Sequence, residues 1–231
     1  MFEDFGFEYL LAIPFLLWVF ICIAGFVPAY MLSKADFTIV DEPIPIFERS
    51  LSVIDPFWIE SKGFKGEYAM RVMGIPIAVF TNPAQTVSMI VFFVADQRVL
   101  DFYSSFPGNV SLTTSSTIDG PTLPYPVGGL SQSFPGSDPN EIYNQHLSGI
   151  EFIEKHTGVR AIPIKNVCED MQSFSKRQVR YMLSRPWLIL TIGYRYFVLR
   201  HTRKNITINQ QFNNGTLDLD HIIGLTRNVA Q

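Results

Sequence analysis

The stretch LLAIPFLLWVFICIAGFVPAYML, residues 10–32, is the longest uncharged apolar run in the chain. A helix needs about 20 apolar residues to cross the roughly 30 Å hydrocarbon core of a bilayer, so this run is long enough. Leu, Ile, Val and Phe supply thirteen of its residues. At about −0.4 kcal/mol each, they favour insertion by about 5 kcal/mol. The run therefore predicts a transmembrane helix and a single-pass membrane protein.

The residues that flank this run indicate how the helix is held and oriented. The tail 1–9 carries three carboxylates and no Lys or Arg, and the run is longer than the 7–15 apolar residues of a typical signal peptide. We therefore expect an uncleaved anchor. Lys34 and Arg49 follow the run, and the positive-inside rule then favours a cytoplasmic position for the rest of the chain.

Charge is distributed unevenly along the 231 residues. Residues 1–170 carry 19 acidic and 9 basic side chains, whereas residues 171–231 carry 2 acidic and 9 basic ones. No Asp or Glu occurs from Met171 to Leu217. The two cysteines, Cys22 and Cys168, are divided between the apolar run and the region after it, so no disulfide framework is expected.

Residues 33–48 contain Pro43 and Pro45 and predict an extended acidic linker, followed by one domain over residues 49–231. β-Branched and aromatic runs predict strands, Gly and Pro predict a loop, and capping residues predict helices. The predicted strands are 67–72, 75–81, 86–94, 98–104, 110–118 and 205–212, the loop is 120–136, and the helices are 139–157 and 166–184. Residues 187–199 fit a helix or a buried strand. Strands and helices that are segregated along the chain predict an α+β domain with an antiparallel sheet and two or three helices.

His146 is the first candidate for chemistry. In the predicted helix 139–157 it shares an apolar face with Ile142 and Ile150, where a histidine serves either as a catalytic base or as a hydrogen-bonded core residue. Asp101 and Asp119 come from predicted strands that could lie near it. These residues are the catalytic candidates of a membrane-tethered hydrolase or transferase. Serine candidates beside them are Ser115 and Ser116.

The acid-free basic segment is the second candidate, as a surface that binds lipid or a protein partner. Its residues are Lys176, Arg177, Arg180, Arg185, Trp187, Arg195, Arg200, Arg203 and Lys204. Each Lys or Arg near an anionic membrane surface contributes about 1 kcal/mol to binding. The alternatives are pairing with the acidic half of the same domain and, less favoured for an anchored protein, contact with nucleic acid. No phosphate-binding loop, dinucleotide fingerprint or zinc-ligand spacing occurs, so we expect no cofactor and no metal.

Residues 105–150 carry a resemblance to a group of proteins. Asp119-Gly120, Leu123-Pro124, Phe134-Pro135-Gly136 and the following helix with His146 occur in an order that resembles uncharacterised membrane-anchored proteins of bacteria. The resemblance implies a bacterial inner-membrane setting and brings no activity with it.

The leading functional hypothesis is a binding or scaffold domain held at the bilayer, where it contacts anionic lipid or a membrane protein partner. The hydrolase or transferase built on His146 is the first alternative. A structural subunit of a membrane complex is the second, with helices of other chains packing on Ala24 and Gly25, whose small side chains allow close approach.

Overall fold

The computed structural model describes residues 7–52, 54–94, 97–118 and 122–227. It is an α+β fold with one seven-stranded mixed sheet in the order β1-β2-β3-β4-β5-β6-β7. The strands are β1 Phe37–Ile39, β2 Lys65–Val72, β3 Ile75–Thr81, β4 Ser88–Val94, β5 Gln97–Phe106, β6 Val110–Ser115 and β7 Gly129–Ser133. The helices are α1 Phe7–Lys34, α2 Ile44–Leu51, α3 Pro56–Ser61, α4 Pro139–Thr157, α5 Val167–Leu183, α6 Trp187–Leu190, α7 Ile192–Tyr194, α8 Arg200–Thr202, α9 Ile208–Asn213 and α10 Leu219–Arg227.

The α+β class is confirmed, but the sheet is larger than predicted and the helices are more numerous. Every neighbouring pair of strands is antiparallel except β6 and β7, which are parallel. A parallel pair requires a crossover of about a dozen residues, and residues 116–128 supply it. The predicted loop 120–136 therefore contains the last strand of the sheet.

Two segments that were expected to be extended differ in the structure. The expected linker 33–48 contributes β1, which pairs with β2, and α2 begins inside it at Ile44. The predicted strand 205–212 is instead mostly α9, because Thr207 and Gln210 form a reciprocal capping box at its start.

Residues 187–202, here called the 187–202 segment, are helical. They comprise α6, α7, a π-helical turn at Arg195–Leu199 and α8, and Thr191 between α6 and α7 keeps a right-handed helical backbone. Of the two states that the sequence left open, the structure adopts the helix.

The two long helices of the domain follow their capping residues. The Asp138 side chain accepts hydrogen bonds from the N–H groups of Asn140 and Glu141, and α4 ends where Gly158 adopts a φ of 75°. The Asn166 side chain accepts from the Glu169 N–H at the start of α5.

Each face of the sheet carries its own layer because successive side chains of a strand point to opposite faces. The first face packs Ala78, Phe80, Met89 and Leu100 against α2, α3 and α4. The second face packs Ile77, Val79 and Ile90 against α5 and the end of α1. Near β6 and β7 the first face is completed by Leu112 and Leu130 with α9 and α10.

Helix α1 is by length and composition able to cross a membrane. An 18-residue window within Ala12–Lys34 has a mean hydropathy of 2.3, and 11% of that window is buried. Among the described residues it is the one helix with these properties. Many of its large apolar side chains are exposed, including Phe15, Leu16 and Phe20. An exposed apolar surface of this extent marks a site of contact with a membrane or with another protein.

Candidate functional sites

His146 lies in the core between α4 and the first face of the sheet. It is completely buried, and its pKa falls to about 3 because burial disfavours the imidazolium. Its Nε2 lies 2.9 Å from Ser104 Oγ, and its Nδ1 lies 2.8 Å from Thr114 Oγ1. Both ring nitrogens therefore have hydroxyl partners, as expected for a histidine that stabilises a core.

Asp101 lies on the other face of the sheet. Phe102 and Ser104 of β5 contact His146, and alternation along the strand directs Asp101 away from them. The structure therefore does not bring His146 and Asp101 together. The third candidate, Asp119, lies outside the described residues.

Asp101 begins a polar row that crosses three strands. It lies opposite Ser115 of β6, which in turn lies opposite Ser133 of β7. Asp101 Oδ1 is buried and makes no hydrogen bond among the described residues. Burial raises the pKa of Asp101 to about 6, and a hydrogen bond from Ser115 acts in the opposite direction. Ser116 points elsewhere, and its Oγ accepts a 2.8 Å hydrogen bond from the Leu100 N–H.

A small polar cavity borders this row at the β7 edge of the sheet. It has a volume of about 180 Å³ and is here called the Arg195 cavity. Its polar lining residues are Tyr125, Ser131, Gln132, Ser133, Arg195, Arg203, Gln211 and Thr216. Two of the predicted basic residues thus share a cavity with hydroxyl groups from the crossover loop and β7.

A second cavity lies where the apolar surface of α1 ends. It has a volume of about 750 Å³, and we call it the juxtamembrane pocket. Its charged lining residues are Lys34, Asp36, Lys176 and Arg180. Two predicted cations of α5 therefore lie beside the last residue of the predicted anchor, with three positive charges for one carboxylate.

The other basic candidates have local contacts. Arg177 donates from Nη1 to the Asn109 carbonyl at 3.1 Å. The Arg185 guanidinium lies 4.7 Å from the ring centre of Tyr181. The Arg200 guanidinium lies 3.8 Å from the centre of the Tyr196 ring. Lys204 forms an isolated β-bridge with Ser133 at the β7 edge.

The 187–202 segment is held directly against α1. Trp18 Nε1 donates to the Leu190 carbonyl at 3.1 Å, and the Cys22 thiol donates to the same oxygen at 3.3 Å. The Gly193 N–H donates to Cys22 Sγ at 3.4 Å. Hydrogen bonds of this length show that the two helices touch along the middle of α1, from Trp18 to Cys22.

Glycines allow this close approach. A Cβ at Gly25 would lie 2.7 Å from Ile192 Cγ2, and a Cβ at Gly193 would lie 3.0 Å from the Trp18 ring. The small-residue surface at Gly25 is therefore occupied by the chain's own helix. Ala24, the other small residue considered for helix packing, is exposed.

Several residues of these sites were not among the sequence candidates. Tyr125, Ser131 and Ser133 reach the Arg195 cavity through the parallel pairing of β7, for which the sequence carries no local signal. Trp18 and Leu190 could have been singled out, because both lie in apolar segments interrupted by glycine, a pattern typical of packed membrane helices.

The described residues contain no group of three or more His, Cys, Asp or Glu side chains arranged to hold a metal ion. Comparison of the chain with protein-family models, with curated proteins and with solved structures finds no match.

Proposed function

We propose that this chain is a membrane-anchored binding protein whose domain sits on the bilayer surface and holds anionic lipid head groups beside its anchor. The observation that supports this most directly is a continuous surface. Exposed apolar side chains of α1 and of the 187–202 segment lie next to each other, and a basic pocket opens where this surface ends.

The depth of the 187–202 segment follows from its contacts with α1. At about 1.5 Å per residue, Cys22 and Trp18 lie about 18 and 24 Å from Lys34 along α1. If Lys34 lies at the level of the head groups, these distances fall within the roughly 30 Å of hydrocarbon. Leu190 touches both residues, so the apolar start of the 187–202 segment, Trp187–Leu190, reaches the same depth.

The outer surface of that segment is aromatic and apolar. Trp187 is 62% exposed and Phe197 is 54% exposed, and Leu190, Tyr194, Tyr196 and Val198 are exposed as well. Contact of this apolar surface with water is unfavourable, whereas its contact with acyl chains is not. Trp and Tyr are the residues that favour the interface between acyl chains and head groups.

The juxtamembrane pocket carries a net positive charge. Lys34, Lys176 and Arg180 face one cavity together with Asp36, leaving a net positive charge at the membrane end of α1. Basic pockets beside membrane helices bind anionic head groups. The volume of about 750 Å³ lies within the range of about 300–1,000 Å³ that is typical of ligand pockets.

The packing also favours a retained anchor over a cleaved signal. Cys22 is completely buried and bonded to Leu190 and Gly193, so removal of α1 would uncover part of the domain. We further propose the cytoplasmic side for the domain, which Lys34 and Arg49 favour.

Tryptophan quenching tests the membrane contact. The full chain is reconstituted into bilayers with brominated acyl chains, as a variant that retains only Trp187 and as a matched variant that retains only Trp58. We expect strong quenching of Trp187 and little of Trp58, which lies in the aromatic cluster on the first face of the sheet. Equal quenching of the two variants would contradict the contact.

Lipid retention tests the pocket. The full chain is purified in mild detergent from bilayers that contain phosphatidylglycerol and phosphatidylcholine, and the retained lipid is identified by native mass spectrometry. We expect phosphatidylglycerol to be enriched, and the double substitution Lys176→Gln with Arg180→Gln to abolish the enrichment. The control pair Lys155→Gln with Arg160→Gln, at exposed positions at the end of α4 and just after it, removes the same number of positive charges outside the pocket. If the double variant retains as much phosphatidylglycerol as this control, the pocket is not a head-group site.

A further inference from the structure

The Arg195 cavity is a second site, separate from the juxtamembrane pocket. It is formed between β7, the crossover loop that carries Tyr125, and the stretch from Arg195 to Arg203. The chain then runs along the edge of β7, where the Asn205 N–H donates to the Ser133 carbonyl at 2.7 Å. The cavity is thus bounded by backbone that is fixed on both sides.

The charge in this cavity is positive. Arg195 and Arg203 both line it, and none of the described lining residues is an Asp or a Glu. The Arg195 Nε donates to Thr191 Oγ1 at 3.4 Å, which uses one of the five N–H donors of the guanidinium. Two guanidinium groups that share a cavity repel each other, and an anion between them would remove the repulsion.

An unsatisfied hydroxyl points to a ligand independently of the charge. Ser133 is completely buried and lines the cavity, and its Oγ makes no hydrogen bond among the described residues. A buried hydroxyl without a partner is unfavourable, so in native proteins such groups normally meet a ligand or a water molecule. The Tyr125 and Ser131 side chains and the Gln211 amide add further polar groups to the lining.

We propose that the Arg195 cavity binds an oxyanion of the phosphate class, either free phosphate or the phosphate of a lipid head group. Two Arg forks and several hydroxyls match the oxygens of such a group. The volume of about 180 Å³ lies below the roughly 300 Å³ at which pockets for larger ligands begin, so the site takes the anionic group rather than a nucleotide.

The first arm of the test uses inorganic phosphate and the full chain in neutral detergent, with chloride at matched ionic strength as the reference. We expect calorimetry to show saturable binding that Arg203→Gln weakens by roughly tenfold or more, because a charge-assisted contact is lost. Ser133→Ala should weaken it less. Arg160→Gln, at an exposed position outside both cavities, is the matched control and should leave phosphate binding unchanged.

The second arm identifies the source of the phosphate. Native mass spectrometry measures retention of phosphatidic acid by the same variants after purification from mixed bilayers. Retention that depends on Arg203, without binding of inorganic phosphate, assigns the site to lipid. If neither probe depends on Arg203, the proposal is overturned. Should Arg203→Gln fail to fold, Ser133→Ala, which removes one hydroxyl, carries the same comparison in both arms.

Discussion

Replacing Asp101 by Asn tests whether the polar row across β5, β6 and β7 is buried away from water. The Asp101 carboxyl has a pKa of about 6 in the folded chain, against 3.8 for an unperturbed Asp, chiefly because it is buried. The folded chain therefore holds this proton more tightly than the unfolded chain does. Ionised Asp101 opposes folding, so its contribution to stability falls as the pH rises from about 4 to about 6 and stays low above that range.

The magnitude follows from the difference between the two pKa values. That difference corresponds to at most about 3 kcal/mol of unfolding free energy at pH 7.5. Asn has nearly the same size as Asp, accepts the Ser115 hydrogen bond and cannot ionise. We therefore expect Asp101→Asn to stabilise the chain by up to about 3 kcal/mol at pH 7.5 and to have little effect at pH 4.

The assay is urea unfolding of the full chain in mild detergent at pH values from 4 to 8. His146 acts in the opposite direction, because its pKa of about 3 makes its contribution rise with pH from about 3 to 6.5. That contribution is common to both proteins and cancels in their difference. Asp41→Asn at an exposed position controls for the change in net charge. A difference between wild type and Asp101→Asn that is constant with pH would refute the reasoning.

Three further predictions concern packing. His146→Ala removes a buried hydrogen-bonded ring and should cost about 2–4 kcal/mol of unfolding free energy by urea titration, and a loss below about 1 kcal/mol would contradict the assigned core role. Gly193→Val drives a side chain into Trp18 and should speed hydrogen exchange across the 187–202 segment, whereas unchanged exchange would argue against the observed docking. Gly108→Ala should lower the thermal midpoint more than Gly136→Ala. Both glycines have positive φ, but of the two only Gly108 would bring a Cβ against backbone, at the Leu225 carbonyl. Equal losses would contradict this contact.

The sequence predicted the elements whose local signals agree with their tertiary surroundings. The run TVSMIVFFV at 86–94 is β-branched and aromatic and forms β4, and Asp138 and Gly158 bound α4 as their residue types indicate. These signals are local, because side-chain shape and capping chemistry act within a few residues.

The prediction failed where pairing with a distant segment decides the structure. β7 has the sequence GLSQS, with low strand propensity, and it is held by parallel pairing with β6 and by contacts with Lys204 and Asn205. At α9 two local signals compete. Thr207 and Gln210 have capping-box spacing, which outweighs the strand-like alternation of NITI.

For the candidate sites, too, the local sequence indicates the residues, whereas distant pairing decides their surroundings. Asp101, Arg195 and Arg203 were each singled out by residue type, but their surroundings depend on the crossover that brings Tyr125 and Ser133 to the β7 edge. His146 was placed correctly on an apolar helix face. Only the structure shows that hydroxyls of β5 and β6 occupy both of its nitrogens, because their approach depends on how α4 packs on the sheet.

The two faces of the sheet differ in the charge of the residues beside them. On the first face, the core is filled by apolar side chains and by His146, which is neutral at physiological pH. On the second face, Lys176 and Arg180 share their pocket with one carboxylate, and Arg195 shares its cavity with hydroxyls. Asp36 is the one carboxylate among the described lining residues of these two cavities, whereas Arg177 outside them interacts with Asp170. We propose that anions outside the chain balance this positive surface, and the phosphates of a bilayer are the anions that a membrane-spanning α1 would bring nearest.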